Sequence, residues 1–229
     1  MHKQIFFSTL FLCLFLCGVN TFAQGTLFDV SLGHSRSDRY FGSAALHHAF
    51  GARFRAGVSV FSGEYRYRFI DARKVSDANV TIVEIPLTYC IYNQGKLRAD
   101  LALKTGLRFM QAPETPEFLH EFKNSTALTL DPGLLVTVVF SKRFSLQSGV
   151  LLPVVYQLRP VVLEEQIQSG VLQLGGTWKI NKQLTFFAKS PFGPSYGAGG
   201  DAEKFFWSAS AGLRWNIGAK ASNAHVLNP

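Results

Sequence analysis

The sequence has little cysteine and no long apolar segment after its N-terminus. Only three cysteines occur in 229 residues, and Cys13 and Cys17 both lie in the apolar N-terminal stretch. If that stretch is removed on export, Cys90 is left alone and cannot form an intrachain disulfide. Beyond it, no apolar run approaches the roughly 20 residues that a spanning helix needs. These absences argue against a small disulfide-stapled secreted domain and against a helical membrane protein.

The charge is basic, but its distribution is not that of a nucleic-acid-binding protein. The chain carries 23 Lys and Arg residues against 15 Asp and Glu residues, a formal net charge of +8. The basic residues alternate with aliphatic residues instead of clustering, and nothing resembles a recognition helix or a stacking platform. We therefore expect no nucleic acid among the partners.

Residues 1–23 have the features of a signal peptide. Lys3 precedes an apolar run from Ile5 to Cys17, and Thr21-Phe22-Ala23 fits the small-residue pattern before a signal-peptidase site. The run is too short for a spanning helix, although an uncleaved anchor stays an alternative. A lipid-modified Cys17 is disfavoured, because a small residue would have to precede it. We predict export and a mature chain from Gln24, whose formal charge falls from +8 to +7 with the loss of Lys3.

Residues 79–110 carry two alternating patterns joined by a short turn. From Leu97 to Phe109, apolar residues share one face and Arg98, Asp100, Lys104 and Arg108 share the other. A strand separates these two sets, whereas a helix would mix them. The run before it, from Val83 to Ile91, alternates in the same way. Asn93-Gln94-Gly95 predicts a three-residue hairpin loop, which would place Glu84 opposite Lys104 and Leu87 opposite Leu101.

The same alternation recurs along the rest of the chain. At Ser62-Gly63 the pattern slips by one residue, which predicts a β-bulge in a long strand, with a tight hairpin as the alternative. We predict loops at about 111–125, 159–165 and 191–203. The ten predicted strands cover about 26–34, 40–50, 52–69, 79–92, 97–110, 134–140, 144–156, 172–180, 184–188 and 205–217.

The connections between these strands alternate in length. Short ones fall near residues 51, 94, 142 and 182, and longer ones near residues 36, 74, 117, 162 and 198. Short turns at one rim, longer loops at the other and an even strand number are typical of outer-membrane barrels. We predict an all-β, antiparallel, up-and-down transmembrane β-barrel over residues 24–217, with about ten strands, eight being the alternative count. A soluble exported β-domain with its apolar face inward remains open, because alternation does not say which face is inside.

A family resemblance is carried by Val83-Glu84-Ile85-Pro86-Leu87, by Leu103-Lys104-Thr105-Gly106-Leu107 and by Asp131-Pro132-Gly133-Leu134. Over roughly residues 25–180 the chain resembles the PorT-like outer-membrane β-barrel family of Gram-negative bacteria. The resemblance implies an eight- to ten-stranded barrel in the cell outer membrane, with no specific activity for most members. The sequence departs from the family at its end, where a tail of residues 218–229 follows Ile217 in place of a final aromatic residue.

His34 and Ser35, with Asp38 or Glu64 near the same rim, are the candidates for hydrolytic chemistry. A triad needs its nucleophile, base and acid within hydrogen-bond reach, and the spacing here does not support that. We therefore assign no catalytic residues.

The remaining motifs have structural interpretations. His47 and His48 would point to opposite faces of a strand, so they cannot jointly bind a metal through adjacent positions. Asn79-Val80-Thr81 and Asn124-Ser125-Thr126 match glycosylation acceptors, which carry little weight in a bacterial chain. Residues 197–200 lack the Lys-Ser or Lys-Thr of a phosphate loop. Three tryptophans suit an aromatic girdle better than a sugar site: Trp178, Trp207 and Trp215. We assign no cofactor and no metal site.

The predicted function is that of a non-catalytic outer-membrane barrel with a structural, transport or assembly and secretion-accessory role. A lipid-modifying barrel enzyme resembling a lipid A deacylase is the alternative. The expected partners are outer-membrane lipid, the barrel insertion machinery and other envelope proteins. The lumen is expected to be charged, with an excess of positive charge, from Arg53, Arg55, Arg66, Arg68, Glu84, Arg98, Asp100, Lys104, Arg108, Lys179 and Arg214.

Overall fold

The computed structural model describes residues 25–35, 38–68, 75–111, 124–159, 166–167, 170–195 and 204–217. The predicted signal peptide, 1–23, and the predicted tail, 218–229, lie outside these ranges. The strands are β1 Thr26–Ser35, β2 Asp38–Phe50, β3 Phe54–Arg68, β4 Val75–Gln94, β5 Leu97–Gln111, β6 Asn124–Val139, β7 Phe144–Leu151, β8 Val154–Arg159, β9 Gln166–Ile167, β10 Val171–Lys179, β11 Leu184–Ser195 and β12 Lys204–Ile217.

These strands form one closed antiparallel sheet. β1 pairs with β12, and pairing of β5 with β6 completes the ring. β7 and β8 lie in line and pair with successive parts of β6, while β9 extends the line of β10 beside β8. The sheet is therefore a barrel of ten strands, as the sequence predicts. Where the structure describes the chain, it contains no helix long and apolar enough to cross a membrane.

Two prolines account for the break between β7 and β8. The Leu152 amide donates to the Pro132 carbonyl at 2.8 Å, but Pro132 has no N–H with which to donate in return. Pro153 removes a second donor directly after it. The ladder is interrupted at this point, and the strand continues as β8.

The stagger of the barrel follows from the register. Following the paired residues once around from Arg98 leads back to β5 at Met110, about twelve residues further on. For ten strands this corresponds to a strand tilt of about 40°, the usual range for closed barrels.

The two faces of the barrel have opposite character. Large apolar side chains point outward and are exposed, among them Leu32 at 73% and Ile85 and Leu174 at 50% each. The inward set is mostly polar and buried, with Arg214 at 1% and Asp100 at 0%, although it also includes Leu135 at 0% and Phe187 at 4%. Soluble proteins bury apolar side chains and expose charged ones. This barrel does the reverse, which excludes the alternative with an apolar interior.

Aromatic side chains line both rims of the outer face. At the short-turn rim, ring pairs include Phe144–Trp178 at 6.1 Å and Phe28–Trp215 at 6.4 Å between centroids. At the opposite rim the His34 ring packs against Trp207 at 6.0 Å. Trp207 and Trp215 stand on β12 about 27 Å apart along the strand, or about 20 Å along the barrel axis at a tilt of about 40°. That spacing is close to the apolar band of outer-membrane barrels, about 25 Å tall.

The predicted register of the central hairpin is wrong by two residues. Glu84 lies opposite Gly106, not Lys104, and Leu87 lies opposite Leu103, not Leu101. β4 continues through Gln94 into a two-residue turn at 95–96, and a bulge between Cys90 and Tyr92 takes up the extra residue. A two-residue shift leaves every side chain on its own face, so the alternation is correct although the register is not.

The predicted bulge at Ser62-Gly63 is absent. β3 pairs with β4 in a single register from Phe54 to Arg68. The irregularity lies in β2 instead, where its pairing with β3 shifts between Asp38 and Phe41. A Cβ on Gly63 would lie 2.8 Å from the Phe41 Cβ, so glycine here allows close packing. The assignment of residues 66 and 68 to the lumen depended on the slip and loses its basis.

Several predicted boundaries also change. β11 runs to Ser195, through Pro191 and Pro194, where the sequence predicts a loop. β6 begins at Asn124, ten residues before the predicted start. The connection between β1 and β2 spans only residues 36–37, so it is not one of the longer ones. Arg53 lies in the exposed turn at 51–53, outside the lumen.

Candidate functional site: the charged lumen

An ion pair crosses the lumen face between the first and last strands. Asp29 of β1 and Arg214 of β12 are register partners. The guanidinium donates from Nε to Asp29 Oδ1 at 2.7 Å and from an Nη atom to Oδ2 at 2.6 Å. A two-point contact between a guanidinium and a carboxylate combines charge with fixed geometry. The pair therefore constrains the position of β1 relative to β12.

Arg214 is held by β11 as well. Its guanidinium carbon lies 5.7 Å from the centre of the Phe187 ring, within the range of a cation–π contact. Gly212, two residues away on the same face, provides room for that ring, because a Cβ there would lie 2.7 Å from Phe187 Cζ. The sequence of β12 thus places a glycine, which has no side chain, two residues from the fully buried Arg214.

His47 lies next to this pair, and His48 lies on the opposite face. His47 is 3% exposed, and its Nε2 is 3.9 Å from Asp29 Oδ2. Gly57 on β3 makes room for the ring, since a Cβ there would lie 2.6 Å from His47 Nδ1. His48 shares a hydrogen bond of 3.0 Å with Thr26 Oγ1. The prediction that the two histidines point apart is confirmed.

A second ion pair lies within β5. Arg98 donates from Nε to Asp100 Oδ2 at 2.8 Å and from an Nη atom to Oδ1 at 2.7 Å. Asp100 is fully buried. Arg55, 4% exposed on β3, interacts electrostatically with Arg214, Arg98, Asp100 and Asp29. It is therefore within electrostatic range of both pairs, whose cations repel it and whose carboxylates attract it.

A further polar group lies nearer the loop rim. Lys104 of β5 faces its register partner Asp131 of β6, with Nζ 3.4 Å from Oδ2. Ser59 donates to Glu84 at 3.5 Å, and Glu84 also interacts electrostatically with Lys104. Lys189 of β11 interacts with Glu84 and Asp29 from the other wall. Charged side chains are thus distributed over much of the lumen length.

The lumen-facing side chains of the described strands carry more cations than acids. The acids are Asp29, Glu84, Asp100 and Asp131. The cations are Arg55, Arg98, Lys104, Arg108, Lys179, Lys189 and Arg214. Most of them are buried or half-buried, and three of the four acids, Asp29, Asp100 and Asp131, form ion pairs with cations. Ion pairs such as Asp29–Arg214 and Lys104–Asp131 link neighbouring strands on the lumen side.

The residues proposed for hydrolysis do not converge. The His34 ring lies on the outer face, 5.3 Å from the Tyr40 ring, whereas Ser35 is 1% exposed on the lumen side. Glu64 is exposed, and the side chain of Asp38 is outside the description. Within the described ranges, no three metal-ligating side chains form a group. Residues 197–200 and the side chain of Asn124 also lie outside the part of the chain that the structure describes.

Four lumen residues were missing from the predicted set. Asp131 and Lys189 lie beyond the predicted ends of their strands, so the alternation was not extended to them. Asp29 and His47 stand within predicted strands, on the same face as other polar residues, and that alternation was the signal that could have found them. The three tryptophans lie on the outer face, as the girdle prediction requires.

Comparisons with known proteins find distant structural similarity. The sequence matches no protein family and no curated protein. Similar solved structures include the translocator domain of the autotransporter NalP from Neisseria meningitidis, 10% identical with a TM-score of 0.48, over 93% of this chain and 96% of that one. The β domain of the Bordetella autotransporter BrkA is 13% identical with a TM-score of 0.49, over 84% and 99%. LpxR from Salmonella typhimurium is 8% identical with a TM-score of 0.46, over 83% and 99%.

These three structures are outer-membrane β-barrels. At identities and TM-scores this low, the likeness carries no conclusion about activity. The membrane assignment below therefore rests on the faces of the strands, and the PorT-like resemblance stays a prediction.

Proposed function

We propose that the chain is an outer-membrane β-barrel whose lumen is filled by its own charged side chains, and that it acts in the envelope without catalysis. Its role would be structural, in assembly or as an accessory to transport or secretion. The observation that carries this proposal is the inverted barrel: exposed apolar side chains with aromatic rims outside, and buried ion pairs inside.

The outer face supports the membrane location. A closed barrel satisfies every backbone hydrogen bond between its own strands, so it can cross a bilayer without an open edge. Exposed apolar patches larger than a few hundred Å² are rare on soluble monomers, and here such side chains surround the barrel. Outer-membrane lipid is therefore the first proposed partner. The barrel insertion machinery and other envelope proteins follow from the location.

The inner face supports a closed lumen. Leu135 and Asp100 are 0% exposed, and Thr137 and Arg214 are 1% exposed. Eight strands leave an interior that side chains fill, whereas aqueous channels belong to barrels of about sixteen strands. A ten-stranded barrel with long charged side chains lies near the filled end of that range.

The lipid-modifying alternative has less support. A hydrolase needs a nucleophile and a base within reach of each other, and His34 and Ser35 lie on opposite faces of β1. Mass spectrometry of lipid A from deletion and wild-type cells separates the two functions. A lipid A change that appears only in wild-type cells would establish the enzyme and contradict our proposal.

The membrane location is tested by charge placed at two depths on the outer face. Leu134, 44% exposed, lies midway along β6, and Phe140, 54% exposed, lies at the short-turn rim. In a bilayer Leu134→Arg should cost about 2–4 kcal/mol of unfolding free energy and Phe140→Arg about 1 or less. The measurement is urea unfolding in lipid vesicles, alongside cell fractionation and a heat-modifiability gel. In a soluble protein both exposed substitutions would be near neutral, and the protein would fractionate with the periplasm.

A further inference from the structure

One junction in the barrel has no covalent link. A turn or loop joins every other pair of neighbouring barrel strands, whereas β1 and β12 are held by pairing alone, from Thr26↔Ile217 to Ser35↔Ser208. This seam is the place where the barrel closes. Its register has to be set by contacts between the two strands.

Alternation of apolar and polar residues cannot set that register by itself. A slip of one residue would turn every side chain to the wrong face, but a slip of two leaves each on its own face. The outer positions of β1 and β12 are mainly apolar, and the inner positions are mainly small or polar, over the length of the seam. The native register therefore needs a contact that is specific to one position.

We propose that Asp29 and Arg214 form a latch that selects the native register when the barrel closes. A slip of two residues would place Asp29 opposite Gly212 or Asn216, and Arg214 opposite Leu27 or Ser31. Neither position offers the opposite charge. The two-point ion pair, buried with Arg214 at 1% exposure, is thus made in the native register and lost in both slipped ones.

The hydrogen-bond pattern places this pair where side chains are closest. The Ala49 amide donates to the Gly25 carbonyl, so odd-numbered residues of β1 pair their backbone with β2, and even-numbered ones with β12. Asp29 and Arg214 are therefore a non-hydrogen-bonded pair across the seam, the type with the shorter Cα separation. On the outer face the adjacent register pair, Phe28 and Trp215, brings two rings within 6.4 Å. Side-chain contacts therefore join β1 and β12 on both faces of the sheet, at adjacent register positions.

Arg98 and Asp100 provide a matched control. They form the same kind of buried two-point ion pair, but both belong to β5. Breaking that pair removes a similar interaction but leaves all contacts between β1 and β12 in place. If breaking an ion pair acts only by destabilising the lumen, breaking either pair should change the seam register equally. If Asp29 and Arg214 form a latch, only breaking that pair should change it.

The test measures the register of the seam directly. In a background in which Cys13, Cys17 and Cys90 are all changed to Ser, Ser35→Cys is combined either with Ser208→Cys, its native partner, or with Ser210→Cys, its partner after a two-residue slip. The purified full chain is refolded from urea into detergent micelles and oxidised, and the disulfide yield is measured by gel. With the latch intact, the 208 disulfide should exceed the 210 disulfide at least tenfold.

Asp29→Asn should lower that ratio several-fold, and exchange of the charges, Asp29→Arg with Arg214→Asp, should recover part of it. Asp100→Asn should leave the ratio unchanged. If Asp29→Asn prevents folding altogether while Asp100→Asn still gives a compact heat-modifiable band, the latch is supported as a requirement for closure. Equal ratios and equal folded fractions for Asp29→Asn and Asp100→Asn would overturn the proposal. Because the readout is register, this result does not depend on whether the barrel is catalytic.

Discussion

At the scale of single residues, strand register as well as charge determines which side chains pair in the lumen. Lys104 shares a face with both Glu84 and Asp131, but its register partner is Asp131 and its Nζ lies 3.4 Å from that carboxylate. Glu84 lies opposite Gly106 and is thus diagonal to Lys104. A diagonal neighbour is about 7–8 Å away, compared with about 4.5–5.5 Å for a direct one. The stronger coupling should therefore involve Asp131.

Double-mutant cycles should show this difference. We expect Lys104→Met and Asp131→Asn to couple by about 1–2 kcal/mol, because removing one partner leaves the other charge in a lumen of low dielectric. Lys104→Met and Glu84→Gln should couple by less than half of that. The measurement is urea unfolding in lipid vesicles, followed by tryptophan fluorescence. A larger coupling to Glu84 would show that the register of β4 against β5 has been misassigned.

At the scale of the strand, β11 accommodates a proline inside a barrel. The Asn216 amide donates to the Gln183 carbonyl, so odd-numbered residues of β11 turn their backbone toward β12. Pro191 thus faces Ser208 without an N–H to donate. The Ser190 hydroxyl donates to the Ser208 carbonyl at 2.8 Å and supplies the missing bond. A side chain replaces the ladder hydrogen bond, which explains how β11 continues where the sequence predicts a loop.

This replacement can be tested with a pair of substitutions. Ser190→Ala should cost about 1–2 kcal/mol of unfolding free energy, since it leaves the Ser208 carbonyl without a donor. Pro191→Ala restores the backbone N–H, so Ser190→Ala should cost close to nothing in that background. Unfolding of the four proteins in vesicles gives the cycle. If Ser190→Ala costs the same in both backgrounds, the hydroxyl is not the substitute for the missing donor.

At the scale of the whole molecule, the alternation of apolar and polar residues predicted the features that follow from the two-residue repeat of a strand. The division of each strand into two faces follows from it, and the membrane interpretation then placed the charged side chains Arg55, Arg98 and Arg214 in the lumen. Register does not follow from the alternation, because shifts of two residues leave the faces unchanged. The central hairpin was misplaced for that reason, although its two faces were correct.

The predicted ends of two strands, β6 and β11, were also wrong, and these errors left residues out of the predicted lumen set. Proline and glycine normally mark a loop, so residues 191–195 were excluded from β11. The predicted sixth strand begins at Leu134, yet Asp131-Pro132-Gly133 belongs to β6 as well. The predicted lumen set therefore lacks Asp131, and it lacks Lys189 because the predicted ninth strand ends at residue 188. Inside a barrel, neighbouring strands and side-chain donors compensate for missing backbone donors, and a single sequence does not show those neighbours.

The filled lumen leads to a prediction about conductance. Buried side chains from all ten strands point into the interior, where the ion pairs Asp29–Arg214 and Arg98–Asp100 lie toward the short-turn end. We expect purified protein in a planar bilayer to show no current steps, or small steps that prefer anions, because the excess of lumen cations repels cations. A large porin in the same bilayer is the positive control. Large, cation-selective steps would mean that the lumen is open and its charges are misassigned.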